Sequence, residues 1–317
     1  MAGKRMKVKE LSKEAKEKFV KATLERGSFL RRINVWPPSD IFYEEWLSNF
    51  VSLDDRYIAS KILNSFLYYS KPMVAKLLHD AVGNAISLIA QKVHPSERGF
   101  YKKEVFYSYI PGENPNPTDS GLLFMRKLRE ALDISDHKTL MFDTLKDKLL
   151  KEGTKQRLLI VLCDDFVGSG NQCIKALTTP LSSECNASVY NLAQSGGHTI
   201  AYAPLISNSL GARRIQTRLP DLIFTPAHVL GEEYNLFSEK CLCWEGDYDL
   251  YCAGVELIRR VSAKLGIRTD GVVSVEGFGK QGLFIGFEHG IPDSDPAFFF
   301  YSEKGWKPLM RRYCERD

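Results

Sequence analysis

Residues 157–173 read Arg-Leu-Leu-Ile-Val-Leu-Cys-Asp-Asp-Phe-Val-Gly-Ser-Gly-Asn-Gln-Cys, and no other stretch limits the fold as strongly. Leu158 to Leu162, followed by Cys163, form an apolar run without a polar break. Such a run suits a strand covered on both faces, the situation in a parallel sheet. It ends in two adjacent carboxylates, Asp164 and Asp165. A turn of small residues follows, Gly168-Ser169-Gly170-Asn171, and a helix is expected from about Gln172. Strand, acid pair, glycine turn and helix in that order build a ligand site at the carboxyl end of a strand. Backbone N–H groups and a hydroxyl at the helix N-terminus would cradle a phosphate. The two carboxylates beside it would accept hydrogen bonds from a sugar diol.

Other glycine-rich sites fit less well. A P-loop requires Gly-x-x-x-x-Gly-Lys-Ser/Thr, and no lysine follows Gly170 at that spacing. A dinucleotide fingerprint requires Gly-x-Gly-x-x-Gly, but Gly168-x-Gly170 is followed by Cys173. A receiver domain needs a further phosphoacceptor aspartate and a lysine on later strands, neither of which stands out.

At 317 residues the chain can bury a substantial core. No unbroken apolar run approaches the roughly 18 residues of a membrane helix. The start, Met-Ala-Gly-Lys-Arg, is charged and has no secretory pattern, so the cytosol is the expected compartment. The seven cysteines are therefore read as reduced thiols. Cys241-Leu-Cys243 is not followed by a second Cys or His pair at zinc spacing, so no resident metal site is expected. Net charge is +4, but residues 1–35 alone hold eleven Lys and Arg against four Glu. That local +7 is either a basic arm for nucleic acid phosphates or a solvated amphipathic helix.

Along the chain, Ser12 caps a first helix reaching about Glu25, with Gly27 and Pro37-Pro38 interrupting regular structure. Ser52-Leu-Asp-Asp55 has capping-box form. Pro72 suits the first turn of a helix with Val74, Leu77, Leu78, Ala81, Val82, Ala85 and Ile89 at helical spacing. Residues 104–110 read as the first strand. Pro111 to Gly121 is a Pro/Asn/Gly-rich loop, and a helix starts near Leu122. Strands are expected at 158–162, 199–206 and 221–225, and a long helix at 249–264. Strands alternating with helices give an α/β class. The expected division is a helical N-terminal region, 1–95, and an α/β domain with an aromatic C-terminal extension, 96–317.

The segment Asp164 to Gln172 resembles the phosphoribosyl pyrophosphate loop of type I phosphoribosyltransferases. That resemblance implies a parallel sheet flanked by helices. It implies that Asp164 and Asp165 hold the ribose, and that Gly168, Ser169, Gly170, Asn171 and Gln172 hold the 5′-phosphate. Gln172 stands where the family usually has Thr. Pro111 to Gly121 occupies the place of the pyrophosphate loop, which adds Ser120 and Gly121 to the expected ligand-binding set, though the loop has no Lys or Arg. Arg126, Lys127, Arg213 and Arg214 are the nearest candidates for a basic group, the last two on a segment that would fold over the site as a lid.

From about Trp46 the chain also resembles phosphoribosyltransferase-like effectors of bacterial conflict systems. The shared elements are Trp46-Leu-Ser-Asn-Phe50, Asp164 to Gly170, the turn Pro292-Asp293, and Trp306-Lys-Pro-Leu309. The resemblance implies transfer or cleavage of a ribosyl group from a nucleotide or phosphoribosyl pyrophosphate, with a substrate-bridged Mg²⁺. It further implies a place in antiviral defence, with a retron's reverse transcriptase and RNA–DNA hybrid as partners. The alternative is a non-catalytic nucleotide sensor, or a nucleic-acid-binding subunit, built on the same fold.

Overall fold

The computed structural model describes residues 11–92, 105–112, 120–152, 157–181 and 186–312. Its helices are α1 (Lys13–Arg32), α2 (Tyr43–Leu47), α3 (Leu53–Ser65), α4 (Lys71–Lys92), α5 (Ser120–Leu132), α6 (Phe142–Glu152), α7 (Asn171–Thr178), α8 (Val189–Ser195), α9 (Ser209–Arg218) and α10 (Tyr248–Leu265). Its strands are β1 (Leu67–Tyr69), β2 (Val105–Tyr109), β3 (Leu159–Val167), β4 (Thr199–Asn208), β5 (Ile223–Phe224), β6 (His228–Leu230) and β7 (Ile285–Phe287). They pack as two compact units, one of residues 1–71 with 232–317 and one of residues 72–231. The grouping thus differs from a break near residue 95: α4 belongs with the large sheet, and the chain's two ends belong together.

The second unit is the α/β layer. Among the described residues its sheet has five strands, all parallel, in the order β2-β3-β4-β5, with β6 also pairing with β4. β3 and β4 run together from Leu159 opposite Thr199 to Val167 opposite Ser207. All ten residues of β4 are buried, as are all of β3 except Asp165 and Phe166. This is the two-sided burial that the apolar run at 158–163 requires. The strand order advances in one direction from β2 to β5.

Helix α4 is long and apolar enough to cross a membrane, with a mean hydropathy of 1.3 over its most apolar window. In this structure one face of it is buried. Val74, Leu77, Leu78, Ala81, Val82, Ala85 and Ile89 are buried, and the buried Thr225 hydroxyl donates to the Ala81 carbonyl at 3.2 Å.

The first unit closes the chain ends on each other. β1 pairs in parallel with β7, Leu67 opposite Ile285. Trp46 is 0% exposed and stacks on Phe299 with centroids 5.7 Å apart. Its indole N–H and that of Trp306 both donate to the Phe298 carbonyl, at 3.3 and 2.8 Å. The Asn49 amide brackets the Lys307 backbone, donating to its carbonyl at 2.8 Å and accepting its N–H at 3.1 Å. Two elements far apart in sequence, 46–50 and 306–309, are therefore one packing motif.

Ser12 and Ser52 cap α1 and α3 as expected, accepting from Ala15 and Asp55 N–H. Helix α1 runs past Gly27 to Arg32, beyond the expected end at Glu25. Gly27 is a packing residue, not a breaker: a Cβ there would overlap the Tyr43 ring. Several cations of the basic segment are held by this unit, with Lys16 on Asp54 at 2.7 Å and Arg31 on Glu44 at 3.3 Å. Of the described cysteines, Cys163, Cys173, Cys241 and Cys243 are buried free thiols and Cys252 is an exposed one.

Candidate functional site

The carboxyl end of β3 brings together most of the residues singled out from sequence. Pairing continues through the acids to Val167, so Asp164 and Asp165 are strand residues and not the start of the loop. Adjacent strand residues point to opposite faces, and the two carboxylates differ accordingly. Asp164 is 3% exposed, whereas Asp165 is half-buried.

Asp164 accepts the Tyr202 hydroxyl at 2.8 Å through Oδ2 and the Asp165 N–H at 3.0 Å through Oδ1. Burial, and then the neighbouring Asp165 charge, push its pKa well above the carboxylate range, while the bond from Tyr202 pulls the other way. Tyr202 is itself pushed up, by burial first and then by Asp164. Asp165 accepts the Phe166 N–H at 2.8 Å. The pair therefore splits into a buried acid inclined to keep its proton and a more accessible acid beside it.

The turn after Val167 is built by close backbone packing. Gly170 adopts φ +77°, a left-handed conformation that glycine tolerates without cost, and caps α7. A Cβ there would stand 3.0 Å from the Gly211 carbonyl and from Ile215 Cγ1. A Cβ on Gly211 would in turn overlap the Gly168 carbonyl. Helix α9 is thus a wall pressed against the turn, not the lid expected for the segment with Arg213 and Arg214. Its N-terminus is fixed by Asn208, whose side chain accepts the Leu210 N–H at 2.8 Å.

Around the turn, the Ser169 hydroxyl accepts the Asn171 N–H at 3.3 Å, and Arg214 donates to Asn171 Oδ1 at 2.8 Å. Gln172 reaches the neighbouring loop, donating to the Pro111 carbonyl at 3.1 Å. The ends of β2 and β3 are thereby tied together. Residues 113–119 of the expected pyrophosphate loop lie outside the described residues. Ser120 is the first residue of α5, and Gly121 packs so closely on Tyr109 that a Cβ would overlap its ring.

His198 sits at the opposite, amino end of the sheet. Its Nδ1 accepts the Leu158 N–H at 3.0 Å, which makes it part of the β3–β4 entry and removes it from the site.

The unit with the parallel sheet and its glycine turn and the unit with the aromatic cluster together make up the chain. A family model, PRTase-CE, matches residues 43–312. The chain belongs to the PRTase-CE family. Among curated proteins none matches. The PRTase-CE match spans both units. Its ends meet in the first unit, where the Phe42 N–H donates to the Leu309 carbonyl at 2.8 Å.

Four features of this PRTase-CE site, two residues and two contacts, were not read from sequence. Tyr202 was marked only by a hydroxyl in the middle of a largely apolar strand, a group that needs a partner when buried. Gly211, the Pro111 carbonyl and the Arg214–Asn171 bond carry no local signal, because each depends on where a second element lies.

Proposed function

We propose that this phosphoribosyltransferase-like chain binds the ribose 5-phosphate part of a nucleotide or of phosphoribosyl pyrophosphate and transfers or cleaves the ribosyl group. The 5′-phosphate lies against the turn Gly168 to Gln172, at the first amides of α7. The ribose hydroxyls face Asp165, with Asp164 behind it setting its position and charge. The observation that supports this most is the left-handed Gly170 turn at the end of β3, packed on Gly211 with a half-buried carboxylate beside it.

Departure of pyrophosphate from the sugar C1 leaves an oxocarbenium-like centre, so catalysis rests on orientation and on charge placed in advance. The donor set fits a substrate-borne Mg²⁺, which keeps mostly water and phosphate ligands and takes one or two carboxylates; Asp165 offers one. When bound, the ion would neutralise charge on the leaving pyrophosphate. Arg214 would add a positive charge near the phosphate turn.

A second reading is a nucleotide sensor without turnover. It is favoured by the commitment of Asp164 to Tyr202, which leaves a single accessible acid. Either activity would suit an effector of a cytosolic antiviral defence locus, including one with a reverse transcriptase and RNA–DNA hybrid. Mass spectrometry of nucleotides and phosphoribosyl pyrophosphate incubated with the pure protein and Mg²⁺ separates the two. Turnover that disappears in Asp165→Asn supports the transferase. Saturable binding with no product supports the sensor, and neither binding nor product removes both.

A further inference from the structure

Beside the phosphate turn, on its outer side, α7 and α9 form the walls of an open cleft of about 400 Å³. It is lined by Asn171, Ile174, Arg213, Arg214, Thr217 and Arg218. The two helices hold four cations, Lys175, Arg213, Arg214 and Arg218, and no Asp or Glu. All four are exposed. Among the described residues none of them forms an ion pair, whereas Lys13, Lys16, Lys21 and Arg31 of α1 all do. An unbalanced cluster of arginines costs self-repulsion in the free protein and gains most from an anion that bridges them.

The layout indicates which anion. Arg214 and Arg218 lie one turn apart on a single face, roughly 6 Å along the axis at 1.5 Å per residue. Lys175 lies one turn beyond Asn171 on the opposite wall. A row of charges along the α9 wall suits successive phosphates better than a single group. The cleft has no aromatic side chain to stack a base, so contact is to the backbone and independent of sequence. Arginine is the residue suited to such phosphate contacts, through its planar fork of donors.

We propose that the α7–α9 cleft binds the phosphodiester backbone of a nucleic acid strand, next to the ribose phosphate turn, with which it shares Asn171. Binding there would press on α9, which Gly211 couples to Gly168, so an occupied cleft would steady the turn. Among the described residues Arg214 bonds Asn171 of the turn whereas Arg213 and Arg218 make no side-chain hydrogen bond to it, so replacing these two tests the cleft apart from the proposed activity.

The test is fluorescence anisotropy of the full chain with a labelled mixed-sequence single-stranded oligonucleotide across a salt series. Arg213→Gln plus Arg218→Gln is compared with wild type and with Arg213→Lys plus Arg218→Lys. Thermal unfolding shows that each variant is folded. The glutamine pair is expected to weaken binding at low salt by roughly tenfold or more. It is also expected to reduce the salt slope by about 1.4, two phosphate contacts at about 0.7 each for a single strand. The lysine pair is expected to keep the slope. Unchanged affinity and slope in the glutamine pair, or no binding by wild type, overturns the proposal. Binding of inorganic tripolyphosphate without the oligonucleotide overturns it as well. Titration with ribose 5-phosphate is expected to be the same in all three proteins, which separates failure here from failure of the proposed activity.

Discussion

Gly211 of α9 packs directly on Gly168 of the turn after β3: a Cβ at position 211 would overlap the Gly168 carbonyl oxygen and stand 3.0 Å from Val167 Cγ1. The turn is shaped from behind by a helix more than forty residues later in sequence. Gly211→Ala is therefore expected to push the turn outward, at a cost of about 1–3 kcal/mol for overpacking. Denaturant unfolding measures that loss, and a ribose 5-phosphate titration on the folded variant should show weaker binding. Wild-type stability and affinity together would mean that the turn has slack.

The Asp164–Tyr202 bond lies in the core between β3 and β4. Tyr202→Phe removes the donor and leaves a buried carboxyl oxygen unpaired, which is expected to cost about 1–3 kcal/mol. Combined with Asp164→Asn, the effects should fail to add by at least about 0.5 kcal/mol, the mark of a direct contact. Simple additivity would show that the pair is not coupled.

The raised pKa of Asp164 gives a pH dependence of definite sign. The native state holds this proton more tightly than the unfolded chain does. Its contribution is complete below the ordinary carboxylate value, about 3.9, and is lost as pH rises through the folded value. Asp164→Asn abolishes that loss. The unfolding free energy of the variant relative to wild type should therefore improve as pH rises from about 4. The reverse trend would mean that the structure stabilises the ionised form.

Gln172→Ala cuts the bond to the Pro111 carbonyl, a neutral contact worth about 0.5–1.5 kcal/mol. Because it joins the first turn of α7 to the residues after β2 and lies at the edge of the core, the main effect is expected on ligand binding, with a several-fold rise in Kd and a nearly unchanged Tm. A large fall in Tm with normal binding would make it a structural tie only.

Much of this was legible in sequence, for physical reasons. The run Leu158 to Cys163 has no alternation because both faces of β3 are covered, and Ser12, Ser52 and Pro72 mark helix starts through backbone chemistry that acts locally. Other features escaped because they are set at a distance. Gly27 reads as a breaker until Tyr43 is seen lying against it. Arg213 and Arg214 read as a lid until Gly211 is seen pinning their helix to the turn. The acid pair reads as two equivalent carboxylates until the pleat of β3 turns one of them towards Tyr202. The three residues of β1 are too few to show a pattern of their own, and their partner β7 lies more than two hundred residues away.

The most direct test of the central claim is isothermal titration of ribose 5-phosphate and phosphoribosyl pyrophosphate, with Mg²⁺, into wild type and Asp165→Asn. Wild type is expected to bind saturably and Asp165→Asn to lose at least roughly tenfold in affinity, about 1.4 kcal/mol, with the unfolding midpoint preserved. Equal affinity in the two proteins, or no heat with either ligand in wild type, would contradict the claim.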